Sequence, residues 1–245
     1  MNAPRADALR MEWTKFRTAP GSLWLSSAVV VVTVAGGAAT IASVTTGDLA
    51  EYSLTGVQLG QAVVAVIAAL VVGGEYRTGM IRTTLAAVPR RITVLGAKTV
   101  IVAGVVAASG AVSVAASVLV GRAIRPALVL SDAAVLRAAC GSVLYLVLIS
   151  LLAVGVAAIT RDTAAAIGVV LGLLYVFTIV AQMVPDPDVR ADLKQIAPMS
   201  AGLAIQATQD LAHQPIAPWH GLGVLAAWAA GALLTGGTLL KLRDS

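Results

Sequence analysis

The chain contains 245 residues, of which 58% are hydrophobic and 12% are charged, and its mean hydropathy is +0.90. Soluble domains are close to half apolar and a quarter charged, so this composition excludes an ordinary soluble domain and leaves apolar surface that must face lipid. The net charge of +5 would suit a nucleic-acid partner, but its distribution along the chain favours membrane orientation, and we expect no nucleic acid.

The N-terminal segment, residues 4–18, predicts an amphipathic helix. Its larger apolar residues recur at helical spacing on one face, while Glu12 and Lys15 can pair on the other. Aromatic residues beside basic ones are typical of a helix in the lipid headgroup layer. A solvated N-terminal helix and a signal peptide are the alternatives. The residues expected at the interface are Leu9, Trp13 and Phe16.

Six long apolar runs follow, and each comes near or exceeds the length that a helix needs to cross a bilayer. They predict an all-α polytopic membrane protein with six transmembrane helices in a single domain, residues 1–245. The third run is overlong, so it should tilt or protrude. Only residues 160–163 join the fourth and fifth, which predicts an antiparallel hairpin. The runs are residues 23–44, 57–74, 94–120, 138–159, 164–184 and 219–240.

The loop between the second and third runs, residues 73–91, combines charge, backbone breakers and amphipathicity. It contains four arginines and one acid, Glu75. Apolar residues recur at helical spacing between Gly79 and Pro89, so we expect a short amphipathic helix that Pro89 ends. A short basic helix between two membrane spans either lies on the lipid surface or docks into a partner.

This loop also resembles a known family. Residues 75–91, Glu-Tyr-Arg-Thr-Gly-Met-Ile-Arg-Thr-Thr-Leu-Ala-Ala-Val-Pro-Arg-Arg, and the following Ala97-Lys98 resemble the first cytoplasmic loop of ABC-2-type transporter permeases from high-GC Gram-positive bacteria. The resemblance extends to the N-terminal segment and to residues 196–202 and 241–244. It implies that 75–91 is a coupling helix that presses on a separate ATPase subunit. The implied coupling residues are Glu75, Tyr76, Arg77, Met80, Ile81, Arg82, Leu85, Arg90 and Arg91.

The distribution of Lys and Arg predicts the orientation. With the N-terminus inside, twelve of the 17 basic residues fall in inner segments and five in outer ones. We therefore expect a multi-pass protein of the inner or plasma membrane, with both termini and the 75–91 loop in the cytoplasm.

The connection between the fifth and sixth runs, residues 185–218, is long for a simple turn. Its first part is polar, and its second part, residues 199–211, is apolar and compatible with helix. This predicts one or two short helices that enter the edge of the outer leaflet, and the resemblance implies re-entrant helices that cap a transport path. An ordinary folded external loop is the alternative.

No motif predicts catalysis or cofactor binding. Residues 96–99, Gly-Ala-Lys-Thr, lack the glycines of a phosphate-binding loop, so we expect Lys98 to be an interfacial anchor and ATP to bind another polypeptide. The only histidines, His213 and His220, lack the spacing of a zinc helix, and the single Cys140 excludes an internal disulfide. We therefore predict no enzyme, catalytic residue, metal or cofactor in this chain.

Glu75 and the glycine pairs each allow two interpretations. Glu75 is either a structural acid that pairs with Arg77 or Arg82, or a bridge between the second span and the coupling helix. Gly56/Gly60 and Gly168/Gly172 both fit the small-xxx-small rule for close helix approach. For the second pair, packing within one subunit and contact between subunits are both open.

Together, these features favour a chain that forms half of an export path. The resemblance implies the permease subunit of an ATP-driven exporter, which lies in the lipid bilayer. It would pair with a second copy of itself or a homologous permease, and two ATPase subunits would bind the pair. The spans carry no charge near their centres, which suits an amphipathic or hydrophobic cargo such as a drug, antibiotic, lipid or peptide. The alternatives are an ATP-independent transporter or channel and a non-transport anchor or sensor subunit.

Overall fold

A computed structural model describes residues 3–18, 20–80, 91–211 and 214–242, and within those ranges it contains helices and no strand. These ranges also contain a π-helical turn, Gly172–Val176, and a 3-10 turn, Ala204–Gln206. The helices are α1 Ala3–Thr18, α2 Pro20–Ser43, α3 Leu49–Leu54, α4 Val57–Arg77, α5 Arg91–Ile124, α6 Ala133–Thr160, α7 Thr163–Met183, α8 Pro187–Ile196, α9 Pro198–Leu203 and α10 Pro218–Leu242.

Among the described residues, six helical segments are long and apolar enough to cross a membrane, in agreement with the prediction of an α-helical membrane protein with six spans. The third segment has 33 residues, or about 50 Å of helix, and is therefore longer than the roughly 30 Å of hydrocarbon. The six are Leu23–Ser43, Leu49–Arg77, Ile92–Ile124, Ala133–Thr160, Thr163–Met183 and Pro218–Leu242.

Helices α4 and α6 form the interior of the bundle. Each is buried over 61% of its most apolar stretch, against 22–28% for the other four spans. Helix α6 packs against α4, α5, α7 and α10, while α2 packs against α4 and α5. The outer helices expose large apolar side chains, as expected for surfaces that face lipid. These exposed residues include Val31, Val100, Val112, Leu119, Ile179 and Leu234.

The two glycine pairs of the small-xxx-small pattern have different surroundings. A Cβ atom at Gly56 would lie 1.8 Å from the Thr33 carbonyl oxygen, and one at Gly60 would lie 2.1 Å from Thr33 Oγ1. This pair therefore allows α2 and α4 to approach closely within the chain. A Cβ atom at Gly168 or Gly172 meets nothing within 4 Å, so these glycines do not serve packing within this chain. Their contact with another subunit stays a prediction.

The turn between α6 and α7 forms the expected tight hairpin. Arg161 ends α6 in the left-handed conformation with φ 56°, and the Asp162 carboxylate accepts a 2.7 Å hydrogen bond from Ala165 N at the start of α7. The turn packs against α4, because a Cβ atom at Gly73 would lie 2.5 Å from Thr163 Oγ1.

The connection between α7 and α10 contains the expected short helices, α8 and α9. Helix α8 buries no residue, whereas α9 and its 3-10 turn pack against α6 and α10. Gly202 lies against the Tyr145 ring, and Gln206 Nε2 donates to Ser142 Oγ at 3.1 Å and to the Leu54 carbonyl at 3.3 Å. The segment is thus part of the folded bundle, and its entry into a membrane leaflet stays a prediction.

The close α2–α4 approach predicts an effect of a single methyl group. Gly56→Ala should separate the two helices and cost about 1–3 kcal/mol, as overpacking typically does. That lowers the midpoint of thermal unfolding by roughly 2–4 °C per kcal/mol for a chain of this size. Gly104→Ala is the matched control, since a Cβ atom there meets nothing within 4 Å. Equal midpoints for the two variants in scanning fluorimetry would contradict this packing.

Candidate functional site

Four charged side chains meet where α1, the end of α4 and the beginning of α5 come together. Glu12 and Lys15 belong to α1, Glu75 to α4 and Lys98 to α5. Lys98 Nζ lies 2.8 Å from Glu12 Oε2 and 2.9 Å from Glu75 Oε1. Lys15 Nζ lies 2.7 Å from Glu75 Oε1 and 3.1 Å from Glu12 Oε1. Each ammonium group therefore contacts both carboxylates, and we refer to these four residues as the charge tetrad.

Local sequence explains how each member reaches the tetrad. Glu12 and Lys15 are three residues apart on α1, so they share one face, as predicted. Glu75 lies in the last turn of α4, and Lys98 lies two turns inside α5. Lys98 Nζ also lies 3.4 Å from the carbonyl oxygen of Val71, one turn before Glu75, which ties α5 to the α4 backbone.

The tetrad is a buried and electrically balanced group. The side chains of Glu12, Glu75 and Lys98 are 3–9% exposed, while that of Lys15 is 27% exposed. Burial alone lowers the pKa of Lys15, but its hydrogen bond to Glu75 and the charges of Glu12 and Glu75 outweigh burial, so its pKa lies above the ordinary value. Two positive and two negative charges compensate one another, which makes the burial of each tolerable.

The structure corrects two expectations for this region. Glu75 pairs with Lys15 and Lys98, and the predicted pairing with Arg77 is wrong, because Arg77 is exposed and makes no ion pair with Glu75. Lys98 was expected to anchor at the interface, but it is 3% exposed because it compensates two buried carboxylates.

Four implied coupling residues can be located besides Glu75. Tyr76 lies under the Arg161 guanidinium, whose carbon is 5.6 Å from the ring centroid, so a cation–π contact links α4 to the α6–α7 hairpin. Arg77 and Met80 are exposed. Arg91 is the first residue of α5. The remaining coupling residues lie outside the described part of the chain: Ile81, Arg82, Leu85 and Arg90.

The residues predicted for the membrane interface divide between surface and interior. Trp13 is 49% exposed and Leu9 is partly buried. Phe16 is 9% exposed and belongs to the hydrophobic core, where it still stacks with Trp13 at a centroid distance of 6.5 Å. Helix α1 therefore faces the protein through Phe16 and Glu12, and only part of its predicted apolar face is free to meet lipid.

A cavity of about 460 Å³ adjoins the tetrad, between α1, α2 and α4. Its walls are largely apolar, and the tetrad forms its polar end. The described residues contain no group of three or more metal-ligating side chains. The residues that line it include Phe16, Leu25, Ile67, Leu70, Gly74 and Glu75.

The opposite end of the bundle contains a further buried carboxylate, Asp48. It caps α3 by accepting from Glu51 N at 3.0 Å, and it accepts from Thr208 Oγ1 at 2.6 Å, Thr208 N at 2.5 Å and Gln209 N at 2.9 Å. Burial alone raises the pKa of Asp48, but these hydrogen bonds outweigh it, so its pKa lies below the ordinary value. Asp48 thus holds the end of the α9 segment against α3.

A comparison of the chain with protein-family models and with curated proteins finds no match.

The tetrad predicts a non-additive response to substitution. Lys98→Met leaves two buried carboxylates with one shared cation and should destabilise the protein by about 3–5 kcal/mol. Adding Glu12→Gln should recover part of that loss, because the remaining Lys15 and Glu75 form a balanced pair. The measurement is the free energy of unfolding of the wild type, the two single variants and the double variant, which together form a double-mutant cycle. Arg77→Met, at an exposed cation, is the control. Strictly additive losses would contradict the tetrad.

Asp48 predicts an effect of pH. Because its folded pKa is depressed, its stabilisation is complete above the unfolded value of about 3.9 and is lost as pH falls through the folded value. Asp48→Asn should therefore lower the unfolding midpoint at pH 6, and the difference from wild type should shrink below about pH 4. Asp188→Asn, at an exposed residue of α8, controls for general acid effects. A difference that stays constant from pH 6 to pH 3 would contradict the assignment.

Proposed function

We propose that this chain is the membrane-spanning permease subunit of an ATP-driven exporter of the ABC-2 type. ATP hydrolysis takes place on a separate ATPase, present in two copies, and the second half of the path is another copy of this chain or a homologous permease. One observation carries the proposal: the charge tetrad joins Glu75, at the start of the predicted coupling segment (residues 75–91), to Lys98 beyond its end and to α1.

A segment that transmits force needs a rigid attachment on both sides. Glu75 on α4 and Lys98 on α5 are joined directly at 2.9 Å, so the helix before the segment and the helix after it are held together. Arg161 over Tyr76 and Thr163 beside Gly73 bring the α6–α7 hairpin onto the same end of α4. If a partner moves residues 81–90, we therefore expect α1, α4, α5 and the α6–α7 hairpin to move together.

Charge supports the proposed orientation. The segments that the sequence assigns to the inner side carry twelve of the 17 basic residues, and such an excess is typical of the cytoplasmic side. The tetrad is neutral in itself, so this excess belongs to the surrounding surface. In the proposed topology the protein lies in the plasma membrane, and both termini are in the cytoplasm. Helix α9 and its 3-10 turn form a re-entrant cap on the outside.

The interior of the bundle suits a cargo without a bare charge. The sequence places no ionisable carboxylate, amine or guanidinium near the centre of any span. Two tyrosines in the spans are hydrogen-bonded there: the Tyr145 hydroxyl donates to Gln61 Oε1, and the Tyr175 hydroxyl donates to the Gln58 carbonyl. We therefore propose an amphipathic or hydrophobic compound as cargo, moving along a path that a second permease completes.

The docking of the coupling segment can be tested with the tagged chain in its native membranes. A Walker A ATPase should copurify with the wild type, and Ile81→Asp should release it or stop export, because buried apolar anchors of an interface cost over about 2 kcal/mol when lost. Arg82→Ala should do much less, since rim charges contribute little. Expression must be matched between variants.

Two outcomes would contradict this function. If Ile81→Asp leaves both ATPase recovery and export unchanged, the segment does not couple. If the wild-type chain transports without any ATPase, the ATP-independent alternative replaces the proposal. Loss of binding only when Arg77, Arg82, Arg90 and Arg91 are removed together would show that the segment instead lies on anionic lipid, at about 1 kcal/mol for each arginine.

A further inference from the structure

The charge tetrad determines which side of α1 faces away from the bundle. Glu12 contacts Lys98 on α5, and Lys15 contacts Glu75 on α4, so the side of α1 that carries these two residues faces the protein. Phe16 lies on the same side and belongs to the hydrophobic core. Because α1 cannot rotate about its axis without breaking the tetrad, its opposite side stays on the outside, and we refer to that side as the outer face.

The outer face of α1 is basic and aromatic. Its exposed residues recur at three- and four-residue spacing and are Arg10, Trp13, Thr14 and Arg17. The Trp13 ring stacks on Phe16, which holds it in place between the two arginines. Among the described residues, no carboxylate forms an ion pair with Arg10 or Arg17. The outer face therefore presents two positive charges, about 10 Å apart along the helix, on either side of a tryptophan.

The tetrad also places α1 at the level where two candidate membrane spans end. Glu75 is two residues from the end of the span Leu49–Arg77, and Lys98 lies six residues, or about 9 Å of helix, inside the span Ile92–Ile124. Side chains of α1 contact these two residues at 2.7 and 2.8 Å. Helix α1 therefore lies beside the ends of the spans, which is the depth of the lipid headgroups.

The outer face is close in sequence to an exposed apolar surface on α2. The candidate span of α2 begins at Leu23, only six residues after Arg17. At this start, Leu23 and Trp24 are 65% and 80% exposed, as expected for side chains that meet lipid. Tryptophan beside arginine is typical of the membrane interface, where the ring meets the acyl boundary and the guanidinium group meets phosphates. The chemistry of the outer face thus matches the headgroup layer.

We propose that the outer face of α1 binds anionic phospholipids, with Arg10 and Arg17 on headgroup phosphates and Trp13 between them at the acyl boundary. Arginine binds phosphate through two parallel hydrogen bonds. The cationic group of a zwitterionic headgroup is repelled by the arginines, so a lipid with net negative charge, such as phosphatidylglycerol, binds better. Each basic residue near an anionic surface contributes about a fivefold factor in binding. This surface goes beyond the proposed export function, because it needs neither an ATPase nor a second permease.

Trp13 is itself the reporter for the test. The full chain carries Trp24→Phe, Trp219→Phe and Trp228→Phe, so that Trp13 is its single tryptophan. In phosphatidylcholine nanodiscs, phosphatidylglycerol with brominated acyl chains, which quench tryptophan fluorescence on contact, replaces a rising fraction of the lipid. Brominated phosphatidylcholine is titrated in parallel. The two quenching curves should show about 25-fold tighter binding of phosphatidylglycerol next to Trp13, since two arginines each contribute about fivefold.

A matched pair of variants tests the arginines. Arg17→Gln and Lys241→Gln each remove one positive charge, and Lys241 is an exposed residue in the last turn of α10. Arg17→Gln should lower the preference for phosphatidylglycerol about fivefold, whereas Lys241→Gln should leave it unchanged. Equal effects of the two variants, or equal quenching by the two brominated lipids, would overturn the proposal. If neither lipid quenches Trp13, the outer face meets water or another protein, and the proposal is wrong.

A second measurement decides if the three Phe substitutions prevent folding. The wild type, Arg17→Gln and Lys241→Gln are released from nanodiscs with equal amounts of the two lipids, and native mass spectrometry counts the lipids that each protein retains. The wild type and Lys241→Gln should retain more phosphatidylglycerol than phosphatidylcholine, and Arg17→Gln should retain less phosphatidylglycerol than either. The same lipid retention in all three proteins would contradict the assignment of the outer face.

Discussion

Two carboxylates and two ammonium groups in the interior of a helix bundle are stable only while each has its partners. In the charge tetrad every ammonium group contacts both carboxylates at 2.7–3.1 Å, and the sum of the four charges is zero. Removal of one member leaves a charge that neither water nor protein compensates. The positions of α1, α4 and α5 are therefore interdependent at this end of the bundle, although the three helices are far apart in sequence.

The coupling proposal depends on that arrangement. The coupling proposal uses its mechanical consequence, since the helices on either side of residues 81–90 are bound to each other through Glu75 and Lys98. The far end of the bundle is organised separately, by Asp48 and by the close approach of α2 and α4 at Gly56 and Gly60.

Sequence alone predicted the features that depend on local spacing or on composition. The six spans followed from apolar runs of sufficient length, and the Glu12–Lys15 pair followed from three-residue spacing on a helix. The contacts of Lys98 with Glu12 and Glu75 join residues 86 and 23 positions apart, and spacing within one helix contains no information about them. A signal was present, since Lys98 lies about one turn inside an apolar run, where a lysine needs a buried partner. The glycine pairs show the same limit, because one pattern lies at a close helix contact and the other at an open surface.

The central claim is that the tetrad fixes α1 to the base of the predicted coupling segment, and hydrogen–deuterium exchange of the α1 backbone tests it most directly. In the wild type, the amides of α1 should exchange slowly, because opening of this helix requires separation of the tetrad. In Glu75→Gln, the two lysines share one carboxylate, and exchange over α1 should accelerate while α6 stays protected. Unchanged protection of α1 in that variant would contradict the account.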